Sequence, residues 1–324
     1  MSKKDTSNMS EQQLERIVTA ARTYYEQNAT QQEIAQALGI SRSQVSRYLD
    51  KAREMGIVTV AITLPDSHSA DLEQELKDRY PMLRDVIVVP FQTAGTLPGD
   101  SLLGRACAMY LMNRLEDGML LGIGAGRAVQ NVVNWFRPVR QNIKVVQAMG
   151  STGYFAQGVD YNMLAHEAAG KLDSPLYIIN APTVLWKNTG TVEDLMAENP
   201  ILAERLQMSK QCNIYLVGVG AIENEDVYVK SGMLDEEEMA GVRKAGAVGN
   251  ICASFFRSDG SICKTEFEKR IVGVRLDNMA SADYSILVAV GSAKVPALTG
   301  VLRGGFINVL ATDSSTARQI MALD

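Results

Sequence analysis

Between residues 30 and 55 the apolar positions run at helical spacing, stop, and resume. Ile34, Ala35 and Leu38 share a face, Gly39 and Ile40 break the pattern, and Val45, Tyr48, Leu49 and Ala52 take it up again. The interruption predicts two short helices joined by a tight turn. Thr30 with Glu33 has the form of a capping box, and Ser41 with Gln44 that of a weaker one. Ala35 is small enough for two helices to approach, Gly39 suits the left-handed conformation of a sharp turn, and Val45 fills the angle between the helices. Ala, then Gly four residues on, then Val six beyond that, is the skeleton of a helix-turn-helix. Leu14, Ile17, Val18, Ala21 and Tyr25 share a face and predict a third helix over residues 11–27, after a disordered start over residues 1–10.

The faces of the second helix divide its work. At about 100° per residue, Val45, Leu49 and Ala52 point to a core, and Ser43 and Arg47 point the opposite way. A major groove admits one helix with its N-terminal residues nearest the bases, which makes Ser43, Gln44 and Arg47 the base-reading candidates. Gln can pair with adenine and Arg with guanine, each through two hydrogen bonds. Ser41, Arg42 and Lys51, with Gln31 and Gln32 at the start of the preceding helix, complete the DNA-facing set, Arg42, Lys51 and the two glutamines as phosphate contacts. An amphipathic helix pair with a solvated basic face has the same periodicity. The caps and the locally basic second helix favour DNA.

Beyond Gly56 the pattern changes. Residues 57–64 alternate like a strand, either a wing beside the helices or a lead-in to a second domain, and Pro65, Asp66 and Ser67 mark a linker. Apolar runs of about six residues then alternate with helical periodicity. Strands are expected over 86–90, 119–124, 143–149, 176–180, 213–219, 284–290 and 306–311. Helices are expected over 70–80, 102–115, 127–136, 162–172, within 193–208, and over 295–303 and 314–322. That alternation predicts a doubly wound, mostly parallel, Rossmann-like sheet. The expected fold class is α/β: an N-terminal all-α, winged helix-turn-helix domain over residues 1–60, followed by the sheet domain over 61–324.

Small residues gather where the strands end: Gly122, Gly124 and Gly126; Gly150, Ser151 and Thr152; Gly218 and Gly220; Gly291 and Ser292. In an open α/β sheet, ligands sit beyond the carboxyl ends of the strands, at the topological switch. The run GIGAG before a helix beginning at Arg127 is a phosphate-cradle candidate, and Lys294 is placed to close it with a positive charge. Plain turns also use glycine, and a helix-start lysine is often merely solvated. The spacing departs from GxGxxG, and GxxxxGKS, HExxH and GxSxG do not occur. His166, on an apolar helix, reads as a packed histidine rather than a base.

Composition narrows the class. The chain of 324 residues is 46% hydrophobic, enough for about two domains with a substantial core. Its net charge of −5 rules out a global basic field, so DNA affinity must come from a local patch helped by dimerisation. Cys107, Cys212, Cys252 and Cys263 form no CxxC pair and read as four buried, reduced thiols, with no metal site or cofactor expected. The polar N-terminus and the absence of a long apolar run point to a cytoplasmic protein with no membrane partner.

Five blocks in order carry a resemblance: residues 24–58, 121–129 (LGIGAGRAV), 215–222 (YLVGVGAI), 246–256 (GAVGNICASFF) and 302–317 (LRGGFINVLATDSSTA). In these the chain resembles the SorC family of sugar-responsive bacterial transcription regulators, over nearly everything after Glu11. The resemblance implies a helix-turn-helix and an effector domain related to phosphosugar isomerases and deaminases. It also implies a homo-oligomer, dimer or tetramer, and a phosphorylated sugar as ligand. By position it puts the phosphate loop on Gly124, Ala125, Gly126 and Arg127, with Ala128 where a threonine is frequent. It puts Asn250 where an aspartate is frequent, and Lys294 near the phosphate. Gly150 and Ser151 line the same rim by topology. The expected function is a repressor of a carbohydrate-utilisation operon that binds double-stranded operator DNA and is released or retained by its effector, with no enzymatic activity. The rival expectations are a sugar-phosphate isomerase or deaminase that kept a DNA-binding head, and an assembly protein whose sheet serves only oligomerisation.

Overall fold

A computed structural model describes residues 11–25, 29–55, 57–58, 67–90, 99–152, 155–156, 159–160, 163–222 and 227–323. The chain divides into two compact units, Met1–Pro65 and Asp66–Asp324. The expected disorder over residues 1–10 and nearly all of the expected strand over 57–64 lie outside the described residues.

The first unit holds helices α1 (Glu11–Tyr25), α2 (Gln31–Leu38) and α3 (Arg42–Glu54). The Thr30 hydroxyl accepts the Glu33 N–H at 3.3 Å while the Glu33 carboxylate accepts the Thr30 N–H at 2.7 Å, closing the capping box. Gly39 ends α2 at φ 64°, a left-handed value that a side chain adopts only with strain. Ile17, Ala20 and Ala21 of α1 bury against Ile34, Ala35, Val45, Tyr48, Leu49 and Ala52. The predicted α1 face is therefore rotated: Leu14 and Tyr25 are each 37% exposed, and Ala20 takes the inward place. At 100° per residue Leu14, Tyr25 and Val18 lie to one side of Ile17 and Ala21, and the buried arc extends to the other side, through Ala20.

The second unit opens with α4 (Ser67–Arg79), β1 (Asp85–Val89), α5 (Gly99–Met112), β2 (Leu120–Ile123), α6 (Arg127–Val133) and β3 (Lys144–Gln147). A small hairpin, β4 (Phe155–Ala156) and β5 (Val159–Asp160), precedes α7 (Leu164–Leu172), β6 (Leu176–Tyr177), α8 (Val192–Glu198), α9 (Pro200–Lys210) and β7 (Ile214–Val217). Next come β8 (Gly220–Ala221), α10 (Val227–Lys230), α11 (Glu236–Lys244), β9 (Ala247–Ile251), β10 (Ser254–Arg257) and α12 (Leu276–Ala280). The chain closes with β11 (Tyr284–Val288), α13 (Val295–Gly304), β12 (Val309–Asp313) and α14 (Ser314–Ala322).

Seven strands form the main sheet in the order β1-β12-β11-β7-β2-β3-β6, and every pairing in it is parallel. Alternate residues feed opposite faces. Leu121, Val145, Ile214, Leu216 and Val309 pack under α5, α6 and α7. Val146, Tyr215, Val217, Leu287 and Leu310 pack under α4, α13 and α14. After β2 the chain builds outward through β3 and β6, then returns to lay β7 on the other side of β2. The switch point thus falls between β2 and β7.

The expected elements are present with two corrections of substance. The last strand starts at Val309, three residues after the expected Phe306. Gly305 ends α13 at φ 65° and the Phe306 N–H returns to the Val301 carbonyl, so Phe306 and Ile307 pack as part of the helix exit. Secondly, residues 220–283 hold an unforeseen antiparallel sheet, β10-β9-β8. The hairpin between β9 and β10 turns through Cys252 at φ 49° and Ala253 at φ 63°, without the Asn-Gly pair that would have signalled it.

Candidate DNA-reading helix and effector cleft

The recognition helix starts at its cap. The Ser41 hydroxyl accepts the Gln44 N–H at 3.3 Å and lies 2.9 Å from the Ser43 hydroxyl. Gln44 Nε2 donates to the Tyr48 hydroxyl at 3.4 Å, so two of the three base-reading candidates are held within the helix. Arg47 is exposed, and its guanidinium has no ion-pair partner among the described residues. Arg42 and Gln32 are exposed too, whereas Gln31 and Lys51 are half-buried. Asp50 pairs with Arg53 at 2.7 Å and leaves the positive charge of the first two turns uncancelled. Core burial of Val45, Leu49 and Ala52 turns this face outward.

In the second unit a small cleft opens where β2 and β3 end. Ile123 ends β2 and Gly124 and Ala125 follow it, Gln147 ends β3 and Gly150 lies beyond it, and Ala165 comes from α7. Gly126 follows at φ 125° and ψ 156°, a conformation open only to glycine, and α6 begins there with no side-chain cap. The N–H groups of Ala125, Gly126 and Arg127 have no backbone acceptor among the described residues. Arg127 itself is exposed.

Not every predicted residue has a donor to offer. The Gly124 N–H is taken by the Leu216 carbonyl at 2.9 Å, the Gly150 N–H by Val272 at 3.0 Å and the Ser151 N–H by Ala181 at 2.8 Å. Gly150 is glycine for packing: a Cβ there would lie 2.5 Å from the Ala181 oxygen. Of Gly150 and Ser151, expected on one rim, Gly150 is among the cleft-lining residues and Ser151 is not.

Asn250 and Lys294 do not line this cleft; Lys294 follows β11, further along the same edge of the main sheet, and Asn250 lies on β9 of the small sheet. Lys294 ends a short 3-10 turn, Ser292–Lys294, that follows β11 and packs on β8. β8 pairs with β9 so that Gly220 opposes Asn250. The Asn250 Oδ1 accepts the Tyr228 hydroxyl at 3.1 Å. Its Nδ2 is buried with no hydrogen-bond partner among the described residues, an unmade bond that costs about 1–3 kcal/mol. His166 corrects the sequence reading: it lies on the exposed face of α7, and Ala165, Ala168 and Ala169 fill the buried one. Sequence reasoning also missed Gln147. Its signal was a polar residue closing an otherwise apolar strand.

Among the described residues no helix is long and apolar enough to cross a membrane, and no group of acidic, His or Cys side chains is arranged to hold a metal. The four cysteines are free and buried.

Comparison with known proteins bears on both units. Residues 25–59 match the family model described as "Winged helix-turn-helix DNA-binding", and residues 65–322 match that described as "Putative sugar-binding domain". The chain is 31% identical over 309 residues to the deoxyribonucleoside regulator of Bacillus subtilis, covering 94% of this chain and 96% of that protein. It is 28% identical over 320 residues to the sorbitol operon regulator of Klebsiella pneumoniae, covering 94% and 97%. The crystal structure of that full-length regulator, SorC, superposes with a TM-score of 0.77 at 28% identity, over 97% of this chain and 100% of that one. Reader and sheet together define a DNA-binding transcription regulator with a sugar-binding domain. The chain belongs to the SorC family of such regulators.

Proposed function

We propose that the protein is a repressor of a carbohydrate-utilisation operon, controlled by a phosphorylated sugar and acting as a homo-oligomer. Residues 1–60 carry the reader and 61–324 the effector and oligomerisation functions. The observation that carries the reading is the presence in one chain of exposed Arg42 and Arg47 on α3 and of backbone N–H groups at a sheet switch point that have no backbone acceptor among the described residues. Arg47 reads a base, with Ser43 and Gln44 beside it, while Arg42, Lys51, Gln31 and Gln32 hold phosphates. The N–H groups of Ala125, Gly126 and Arg127 take the phosphoryl oxygens, the Arg127 and Lys294 cations offset the charge, and Asn250 offers its amide to the sugar. The sorbitol and deoxyribonucleoside regulators, by their names, support the carbohydrate class.

The rival enzymatic reading needs an acid or base at the cleft. The described residues that line it include no titratable side chain, which favours binding over turnover. The test is an electrophoretic shift of the chain's own promoter region against a panel of aldose and ketose phosphates. One of them should weaken the shift and remain chemically unchanged. Indifference to all of them removes the effector assignment, and turnover of any removes the regulator-only reading.

A further inference from the structure

Gln147 closes β3, and its side chain is 7% exposed. Val145 and Val146 pair with Leu176 and Tyr177, where β6 ends. Past that point the Gln147 side chain continues the ladder: the Ile179 N–H donates to its Oε1 at 2.8 Å. Because the Ile179 group is a donor, the atom facing it must be the oxygen, which fixes the orientation of the whole carboxamide. Its Nε2 therefore faces the other way and makes no hydrogen bond among the described residues. Gln147 is also one of the residues that line the cleft beside Gly124 and Ala125.

A strand tie alone needs only the oxygen. The nitrogen is a donor on a side chain that is nine-tenths buried and held by the Ile179 tie, and it stands beside a loop whose N–H groups have no backbone acceptor among the described residues. We propose that Gln147 is a specificity-determining contact for the effector, its Nε2 donating to an oxygen on the carbons next to the phosphoryl group. This rests on the phosphate-loop reading above and deepens it. The loop recognises any phosphate monoester, whereas the amide selects those carrying a hydroxyl or carbonyl oxygen close to the phosphate. The rest of the cleft wall is backbone, small or apolar side chains such as Ile123, Met149 and Ala165, and Thr152, so Gln147 supplies its one carboxamide N–H donor among the described residues.

The test titrates the full chain calorimetrically with inorganic phosphate and with ribose 5-phosphate, fructose 6-phosphate and glucose 6-phosphate. The native protein should bind at least one sugar phosphate more tightly than inorganic phosphate. Gln147→Met should weaken that sugar phosphate by about tenfold, the size of one lost directed hydrogen bond, and leave inorganic phosphate within about twofold. Gln147→Glu keeps an acceptor for Ile179 but adds a negative charge that weakens every phosphate probe; the sugar phosphate should still lose more than inorganic phosphate does, because the donor is gone. Full retention of the preference in either variant overturns the proposal. So does parallel loss of both ligands in Gln147→Met, which marks a structural tie only. A native protein that binds none of the four probes overturns the phosphate-loop reading itself, and this inference with it.

Discussion

At Arg47 the side chain leaves the outer face of α3 with no partner to release among the described residues, whereas Gln44 must give up Tyr48. That difference ranks the readers. Arg47→Ala should cost about 1–3 kcal/mol in operator binding and relax specificity at one base pair, by fluorescence anisotropy on operator variants. A uniform loss across sequences would make Arg47 a phosphate contact instead. Ser41→Ala removes a cap whose acceptor serves the Gln44 N–H, and should lower stability by about 1 kcal/mol in urea titration. The buried thiols give a third residue-scale expectation. Desolvation pushes Cys107, Cys212 and Cys252 up to about 12, and burial raises Cys263 as well. The thiolate is the reacting form, so the native protein should react slowly with a disulfide reagent through pH 9, and quickly only once unfolded. Fast native reaction at pH 8 would contradict their burial.

Among the elements, the turn into α6 shows most directly how conformation and site coincide. Gly126→Ala forces a Cβ into a φ, ψ region with no allowance for one, although nothing lies within 4 Å of where that Cβ would go. The penalty is therefore backbone strain of about 1–3 kcal/mol, and steric collision adds nothing to it. Relieving the strain means moving the loop. The variant should lose sugar-phosphate binding by calorimetry more than its fall in melting temperature accounts for; full binding would show that the loop does not depend on this conformation. The same elements show what the sequence could and could not reveal. The capping box, Gly39 and the Ala35–Val45 spacing are local signals, and they located α2 and α3 almost to the residue. The parallel strands were legible because both faces are buried and the runs are continuously apolar. The β8-β9-β10 sheet was not legible. Its strands are short, Gly220 opposes Asn250 and Gly249 opposes Ala221, and Cys252–Ala253 makes the turn under strain that only the surrounding packing sustains. Of the candidate effector site, the loop at Gly124–Arg127 could be read from glycine spacing. Which amides were already spent, and that Gln147 faced the cleft, depended on partners far away in sequence such as Leu216, Val272 and Ile179.

For the whole molecule the question is whether a ligand on the sheet changes the affinity of the reader. If the effector weakens operator binding by some factor, operator DNA must weaken effector binding by the same factor. A coupling of about 1–3 kcal/mol corresponds to roughly 5–150-fold in each direction. Reciprocity alone does not locate the effector, because a sugar phosphate competing with DNA phosphates on α3 would obey it too. Lys294 separates the two cases. It lies on the turn after β11, in the Asp66–Asp324 unit, while the cations of α3 lie in the Met1–Pro65 unit. Lys294→Ala should therefore weaken the sugar phosphate and abolish the reciprocal shift at concentrations that saturate the native protein. Competition on α3 predicts the opposite: Lys294→Ala would release DNA at the native effector concentration, and raising the salt would reproduce the release without any sugar. Anisotropy titrations of operator with and without effector, run on both proteins at two salt concentrations, decide between a pocket on the sheet and an anion on the reader.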